Sequence, residues 1–518
     1  MVDTPGIPDT PQPLDDLVAH AHGTRVVVIG AGIAGLVAAL DCAKVGMRVT
    51  VVEASDRLGG MVRQAEIAGL RLDVGAESFA TRGGHVRALI EEVGLGDEVV
   101  SPQPGGAWLA GLPGAAPLPK GGVLGIPDNP FAEDVRRIIG WRGAWRAYLD
   151  RLRPVLTIGK ERSLGRLVRT RMGDRVLERL VAPVTSGVYS ADPDDIDVDL
   201  AAPGLNSALT RTGSLAGAVG QLHGARGEAP GSAVEGLRGG MLRLIDALEV
   251  RLLELGVEIR RESPADALEP AEPAELAGPA GTHASTDRTD RGATSPGGRG
   301  WTVRIADEEL HADRIVVAAG ESAARRLLEP LLGPAEDDRP APRVHIVTLV
   351  LDAPALDAAP RGSGVLTVPG SHRAKALTHS TAKWAWLAEA AQAQHPHRHV
   401  VRVSFGSQSE PPATDGLDLA AATALAVSEA SALLGVDLDP RNVAGSDIAR
   451  YEQTLPGAAI GQRDAATAAR ARLDATPGIV AVGAWLSGTG LAQVVPDARA
   501  QAEIVRRGAL FGTRPAAD

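Results

Sequence analysis

Cysteine is almost missing from this chain: among 518 residues Cys42 is the only one. One thiol cannot close an internal disulfide, nor build a structural zinc site by itself. Set in an apolar, helix-like stretch, Cys42 reads as a small buried hydrophobe. Aromatic side chains are also scarce, at 3%, so the core must be assembled mainly from Ala, Val, Leu and Ile. Positive charge is in deficit, with 53 Lys and Arg against 64 Asp and Glu for a net charge of −11. That balance argues against a general nucleic-acid binder. No run reaches the ~18 apolar residues of a membrane-spanning helix. The longest, Val26 to Leu40, is interrupted by three glycines. The opening MVDTPGIPDTPQPLDD is acidic and Pro-rich and has neither the basic nor the apolar part of a secretory signal. Residues 1–23 are therefore expected to be a disordered extension, and the protein cytoplasmic.

What is present is a long chain with strong local patterning. Its length predicts two or three domains. Residues 24–60 read as strand, Gly-rich turn, helix and strand; residues 236–262 read as a helix followed by the strand-like GVEIRRE. Residues 301–320, WTVRIADEELHADRIVVAAG, predict two strands about a polar turn, the second fully apolar. Between these regions, about 269–299 is rich in Pro, Gly, Ala, Ser and Thr without periodicity, and is expected to be a disordered insertion. Residues 130–183 look mainly helical and carry many arginines. RVHIVTLVL (343–351) and HVVRVSF (399–405) predict strands of a second sheet.

RVVVIGAGIAGLVAAL places Gly30-x-Gly32-x-x-Gly35 between a buried strand and a helix, the context that a dinucleotide fingerprint requires. The first glycine makes the tight turn, the second lets the backbone approach a pyrophosphate, and the third permits close helix–strand packing. Residues 30–35 (Gly30, Ala31, Gly32, Ile33, Ala34, Gly35) form the expected cradle. Glu53 ends the next strand, placed to accept hydrogen bonds from a ribose 2′-OH. Ala54, Arg57, Gly59 and Gly60 then suit a second turn along a bound cofactor. LDVGAESF adds a further turn at Gly75, Ala76, Glu77 and Ser78. Near the C-terminus, GIVAVGAWLSGTGLAQVV gives a buried strand, a turn at Gly488 and Gly490, and a helix.

These stretches together resemble the FAD-dependent monoamine oxidase and phytoene desaturase superfamily. Within it the chain is most similar to the coproporphyrinogen/protoporphyrinogen oxidases of haem synthesis in their Gram-positive form. The likeness runs in order from about residue 24 to 511, through PLPKGGVLGIPDNPF, SLGRLVRTRMGDRVLERLVAPVTSGVYSADPDDIDVD, GLRGGMLRLIDAL, THSTAKWAW and RYEQTLPGAAIGQ. The resemblance implies an α/β fold with a Rossmann-type FAD-binding domain, a second sheet-based substrate domain and a helical subdomain. The expected boundaries are 24–85, 235–325 and 475–512 for the discontinuous FAD-binding domain and 112–215 for the helical subdomain. Residues 86–111, 216–234 and 326–474 are left for the substrate domain. Besides the residues above, the resemblance implies contacts to non-covalent FAD from Ala265, Tyr451, Thr489, Gly490 and Leu491, with the last helix starting over the flavin's polar edge. Departures are visible: Tyr451 stands where the family often has Trp, Gln462 where it often has His, and GTGLAQVV lacks the usual PDC. Gly106 and Ala107 lie where plant-type relatives carry a propionate-holding arginine.

The reaction implied by the resemblance is oxidation of coproporphyrinogen III by six electrons, with O2 as acceptor and hydrogen peroxide as by-product. Protoporphyrinogen IX, or a different substrate of the amine oxidase group, is the alternative. A non-catalytic FAD-binding protein is a further one. No side-chain acid or base suggests itself, which fits chemistry carried by the flavin. Local cations must meet the substrate's propionates, and Arg63, Arg82, Lys120, Arg373, Lys375 and Lys383 are the candidates, with Gly187 and Tyr189 facing the substrate. A porphyrin-consuming ferrochelatase is the implied next partner. The arginines of 130–183 leave two readings open, peripheral docking on an anionic membrane or a plain solvated face. The aspartates of DPDDIDVD fit no calcium loop: counted from Asp195, position 6 is Leu200 and position 12 is Asn206, where Gly and Glu are needed. They read as a turn and helix entry at Asp192-Pro193, and the histidines of HPHRH as an exposed loop, so no metal is expected.

Overall fold

Val26, Val27, Val28 and Ile29 are all buried, so this β-branched run has no solvent face and suits the centre of a parallel sheet. In the computed structural model, which describes residues 14–154, 161–226, 234–271, 300–334, 342–452 and 458–511, it forms β1 (Arg25–Ile29). Around it lie β2 (Arg48–Val52), β7 (Glu258–Arg260), β11 (Arg314–Val317) and β17 (Ile479–Ala481). The order is β7-β2-β1-β11-β17 and every pairing is parallel. Helices α2 (Ile33–Ala43), α9 (Leu242–Glu254) and α13 (Leu491–Phe511) cover one face through Leu36, Leu40, Leu244, Leu248, Val494 and Val495. The other face packs on α10 (Glu321–Leu332), α12 (Gln462–Asp474) and a small antiparallel sheet of β8 (Ala267–Pro270), β9 (Trp301–Ile305) and β10 (Glu308–Ala312). This is the three-layer Rossmann-type arrangement.

Several expectations are corrected here. Leu14–Gly23 is a helix, α1, rather than disordered lead-in; Ala21 is buried in the α2 core, and residues 1–13 lie outside the described residues. Residues 301–320 make three strands. EELHA alternates as an exposed antiparallel strand, whereas RIVV enters the buried parallel sheet, so the chain must break between them. The insertion begins later than 269, because Ala267–Pro270 pairs with β9; residues 272–299 lie outside the described residues. Helix α3 (His85–Glu92), all of α10, and α12 pack into the dinucleotide cores, although 86–111 and 326–474 were expected in the substrate domain. Their apolar faces lie against the parallel sheet's helices and strands, which sequence distance does not reveal.

The second sheet has the order β16-β12-β15-β14-β13-β5-β6, from β5 (Ala107–Leu112), β6 (Gly114–Pro117), β12 (Arg343–Asp352), β13 (Gly364–Thr367), β14 (Ala374–His379), β15 (Arg398–Phe405) and β16 (Val443–Glu452). It is antiparallel except for the β13–β5 pair. Alternation splits its two faces. Leu349, Leu351, Val401, Val403 and Phe405 pack on α11 (Leu419–Leu434); Thr348, Arg402 and Asp447, aligned across three strands, lie on the opposite one. The helical unit buries Ile138, Ile139, Leu164, Val168, Leu205 and Val219, from α4 (Glu133–Tyr148), α5 (Leu164–Met172), α6 (Ala182–Tyr189), α7 (Leu205–Thr212) and α8 (Leu215–Arg226). Helix α8 therefore extends this unit beyond residue 215, where its end was expected.

The aspartates behave as local caps. The Asp192 Oδ1 accepts from the Asp194 amide at 2.8 Å and the Asp197 Oδ1 from the Asp199 amide at 2.9 Å, while Asp194 pairs with Arg169 at 3.0 Å.

Candidate active site

The cradle starts with backbone geometry. Gly30 has φ +106°, and a Cβ there would meet the Ala318 carbonyl oxygen at 2.7 Å; one at Gly35 would overlap the Gly30 carbonyl. Both glycines are required by the fold itself. Gly32 differs: a Cβ there would meet nothing within 4 Å. Its side faces an open space beside the start of α2, where backbone amides point outward and the helix dipole favours an anion. Gly59 bridges Gly32 and donates its amide to the Ala31 carbonyl at 2.9 Å, and a Cβ on Gly60 would sit 3.4 Å from the Gly32 Cα. The glycine pair thus lies directly against the cradle, whereas Ala54 and Arg57 are exposed beside it.

Glu53 accepts from the Ala31 amide at 2.7 Å and from the Ser55 amide and hydroxyl, both at 2.9 Å. A carboxylate has about four acceptor sites, so one remains for a ribose hydroxyl. The Ser263 amide donates to the Glu53 carbonyl at 2.8 Å, bringing half-buried Ala265 to the same end of the sheet.

The Gly75–Ser78 turn lies at the junction with the second sheet. Its Gly75 approaches so closely that a Cβ would overlap the Met61 carbonyl and lie 3.0 Å from the Tyr451 Oη. Glu77 is the hub: it accepts from Lys383 Nζ at 2.5 Å, Arg402 at 2.7 Å and Ser380 Oγ at 3.3 Å. Arg402 also donates to the Gly75 carbonyl at 2.6 Å. Burial pushes the Glu77 carboxyl up, but Lys383 and Arg402 outweigh it and hold the group at about 2. Lys383, expected at the substrate, is in fact committed to this buried pair. Arg402 was missed from sequence altogether. Its signal was an arginine inside the apolar HVVRVSF, on the face opposite Val401 and Val403.

Around this turn, Arg63 Nε, Arg402 Nε, Tyr451 Oη and Thr348 Oγ1 are buried without a hydrogen-bond partner among the described residues. Buried polar atoms are seldom left unpaired, and burial raises the Tyr451 phenol. Such a set beside an open dinucleotide cradle fits the polar edges of a flavin ring. At the C-terminal side, Gly488 and Gly490 (φ +94° and +101°) turn the chain so that Thr489 and Gly490 are exposed and α13 begins at Leu491. Gln462 donates to the Trp485 carbonyl at 3.0 Å, just before this turn.

The remaining candidates are not brought to one place. Arg82 and Lys120 are exposed on separate loops. Gly187 permits close approach of α6 to β13, since a Cβ would meet Leu366 at 2.5 Å, and Tyr189 is half-buried against the helical core. Arg373 and Lys375 do gather, at a 320 Å³ cavity between α6 and the β13–β14 connection.

Comparison with known proteins finds relatives along nearly the whole chain. A coproporphyrinogen III oxidase of Propionibacterium freudenreichii is 28% identical, covering 98% of this chain and 95% of its own. The protein of that name from Mycobacterium bovis is 29% identical, covering 90% and 93%. An Exiguobacterium structure assigned as a protoporphyrinogen oxidase aligns with TM-score 0.76 at 24% identity, over 93% of this chain and 98% of that one. Putrescine oxidase bound to putrescine aligns with TM-score 0.58 at 14% identity, over 93% and 98%. The pattern of the flavin-containing amine oxidoreductases spans residues 33–505, and this chain is a member of that family of flavin-dependent oxidoreductases.

Proposed function

We propose that this protein oxidises coproporphyrinogen III to coproporphyrin III in haem synthesis, using non-covalently held FAD. The observation carrying this reading is the near full-length similarity to coproporphyrinogen III oxidases of two genera, in a chain whose cradle and Gly75 turn suit a flavin. FAD, when bound, takes hydride equivalents from the substrate and returns them to O2 as hydrogen peroxide. The chain's own part is placement. Residues 30–35 with Gly59 and Gly60 hold the pyrophosphate, Glu53 the ribose, and residues 75–78 with Thr489, Gly490 and Leu491 bound the flavin. The Glu77–Arg402–Lys383 cluster keeps the Gly75 turn fixed, which matters because a small misplacement of reacting atoms is costly in rate. Aromatisation supplies much of the driving force, so no side chain need act as acid or base. Non-covalent binding is favoured because the lone Cys42 is fully buried in α2, its thiol pushed up to about 12 by burial.

The reading places the enzyme in the cytoplasm, handing porphyrin to a ferrochelatase; among the described residues no helix is long and apolar enough to cross a membrane. Peripheral contact with an anionic lipid surface is supported by α4 and the turn after it, where exposed Trp141, Trp145, Leu149 and Leu152 lie among arginines.

The test is anaerobic mixing of the yellow enzyme with coproporphyrinogen III, protoporphyrinogen IX or putrescine. Coproporphyrinogen III should bleach the flavin fastest, and air should restore the colour as porphyrin fluorescence appears. Faster bleaching by protoporphyrinogen would reassign the substrate. Oxidation of putrescine alone would replace the reading with an amine oxidase, and a flavin that none of them bleaches would leave a non-catalytic flavoprotein.

A further inference from the structure

Ser190 ends α6 in left-handed backbone, with φ +54° and ψ 27°, a conformation unfavourable for a non-glycine residue. Two tethers hold it there. Its hydroxyl accepts from Lys375 Nζ at 2.6 Å and its carbonyl from the Gln408 amide at 2.8 Å. Lys375 sits at the irregularity where Ala374 and Ala376 pair with successive residues of β15, which breaks the strict alternation of β14. Lys375 lines the 320 Å³ cavity.

Several of the charges lining that cavity are already engaged. Arg169 pairs with Asp194 at 3.0 Å, and His372 lies 3.6 Å from Glu429. Asp192 caps the following turn, and Glu178 and Glu410 are exposed. Arg373 is exposed at the rim, while Lys375 is half-buried and makes no ion pair among the described residues. A covered ammonium without a counter-charge is unfavourable, and burial pulls this one down to about 8. A carboxylate paired with Lys375 itself is what the arrangement lacks among the described residues. Lys375 is three residues from Thr378, which pairs in register with Arg402, about 10 Å along the strand.

We propose that Lys375, presented by Ser190 with Arg373 at the rim, binds a propionate carboxylate of the porphyrinogen and sets which edge of the macrocycle enters beside α6. This rests on the porphyrinogen reading above. One charge-assisted hydrogen bond corresponds to roughly a tenfold change in affinity or more. Lys375→Met should therefore raise KM for coproporphyrinogen III about tenfold, with kcat within twofold and flavin content unchanged. Lys375→Arg should restore most of the loss. Wild-type KM should climb as pH rises past about 8, whereas the Arg variant stays flat to higher pH and the Met variant shows no such climb. In parallel, coproporphyrin III and its tetramethyl ester are titrated onto wild type and Lys375→Met by porphyrin fluorescence. The free acid should favour wild type and the ester should not discriminate. A Met variant with wild-type KM and porphyrin affinity overturns the proposal while leaving the function intact. A wild type that neither oxidises nor binds porphyrins overturns both.

Discussion

Glu77 shows how a single side chain ties the Gly75 turn to the second sheet. Its side chain is 13% exposed and its partners Lys383 and Arg402 are 17% and 8% exposed, so three charges share a space that admits little water. Removing one member of such a cluster leaves the others buried and unmatched, a change that typically costs 3–5 kcal/mol. Glu77→Gln should lower stability by about that much in denaturant titrations at neutral pH. The sign with pH follows from the depressed carboxyl. Its stabilising contribution is complete above the ordinary carboxylate range and fades as pH falls through about 2. The gap between wild type and Glu77→Gln should therefore narrow from about pH 4.5 downward, and a constant gap at every pH would refute the ion-pair account. Sequence reading found Glu77 and Lys383 separately, as a cofactor contact and a substrate contact. It did not pair them, because 306 positions separate the two and only the sheet's closure on the Gly75 turn brings them together.

Elements with one strong local pattern were the legible ones. The run Val26–Ile29, the glycine turn and α2 are specified within twenty residues, and β12 and β15 declare themselves by β-branched runs. Elements defined by distant partners were not. Strand β5 joins the second sheet through a parallel pair with β13, Ala107 facing Gly364, and nothing near Ala107 announces it. Helix α1 was masked by the Pro-rich, acidic residues before it. Helix α4 was legible as a helix, but the location of its aromatic side chains was not. In a chain with seven Trp and three Tyr, Trp141, Trp145 and Tyr148 stand exposed on this one helix, Trp141 at 59% and Trp145 at 56%, with Leu152 nearby at 77%. Arg136 lies 4.3 Å over the Trp141 ring and Arg151 5.1 Å over that of Tyr148. Aromatic and cationic groups gathered along α4 and the turn after it suit the headgroup region of an anionic bilayer, despite the chain's net negative charge. The protein should co-sediment with phosphatidylglycerol vesicles and not with phosphatidylcholine vesicles. Replacing Trp141 and Trp145 by Ser should weaken that binding about tenfold, and added salt should weaken it as well. Equal binding to both vesicle types, or none, would favour the solvated-face reading.

At the scale of the whole molecule, the proposed cofactor would touch segments that the chain delivers from far apart: the Gly30 and Gly59 turns, the strand end near Ala265, the Gly75 turn and the C-terminal turn at Gly490. A ligand that binds only when all are assembled stabilises the fold by mass action, about 4 kcal/mol at a thousandfold excess over its Kd. For a protein of this size the melting temperature should then fall by roughly 4 °C on flavin removal. Gly32→Val separates this effect from simple misfolding. Gly32 has φ −67° and ψ 172°, a backbone open to any residue, and its Cβ direction is empty of protein. The valine should therefore fold normally and fill only the space of the pyrophosphate. Gly30→Ala, by contrast, would drive its Cβ against the Ala318 backbone and should damage the fold itself. The expected result is a colourless Gly32→Val protein with native circular dichroism that melts with the flavin-stripped wild type, and added FAD should not shift it. A Gly32→Val protein that purified yellow with the melting temperature of the holoenzyme would place the cofactor somewhere other than this cradle.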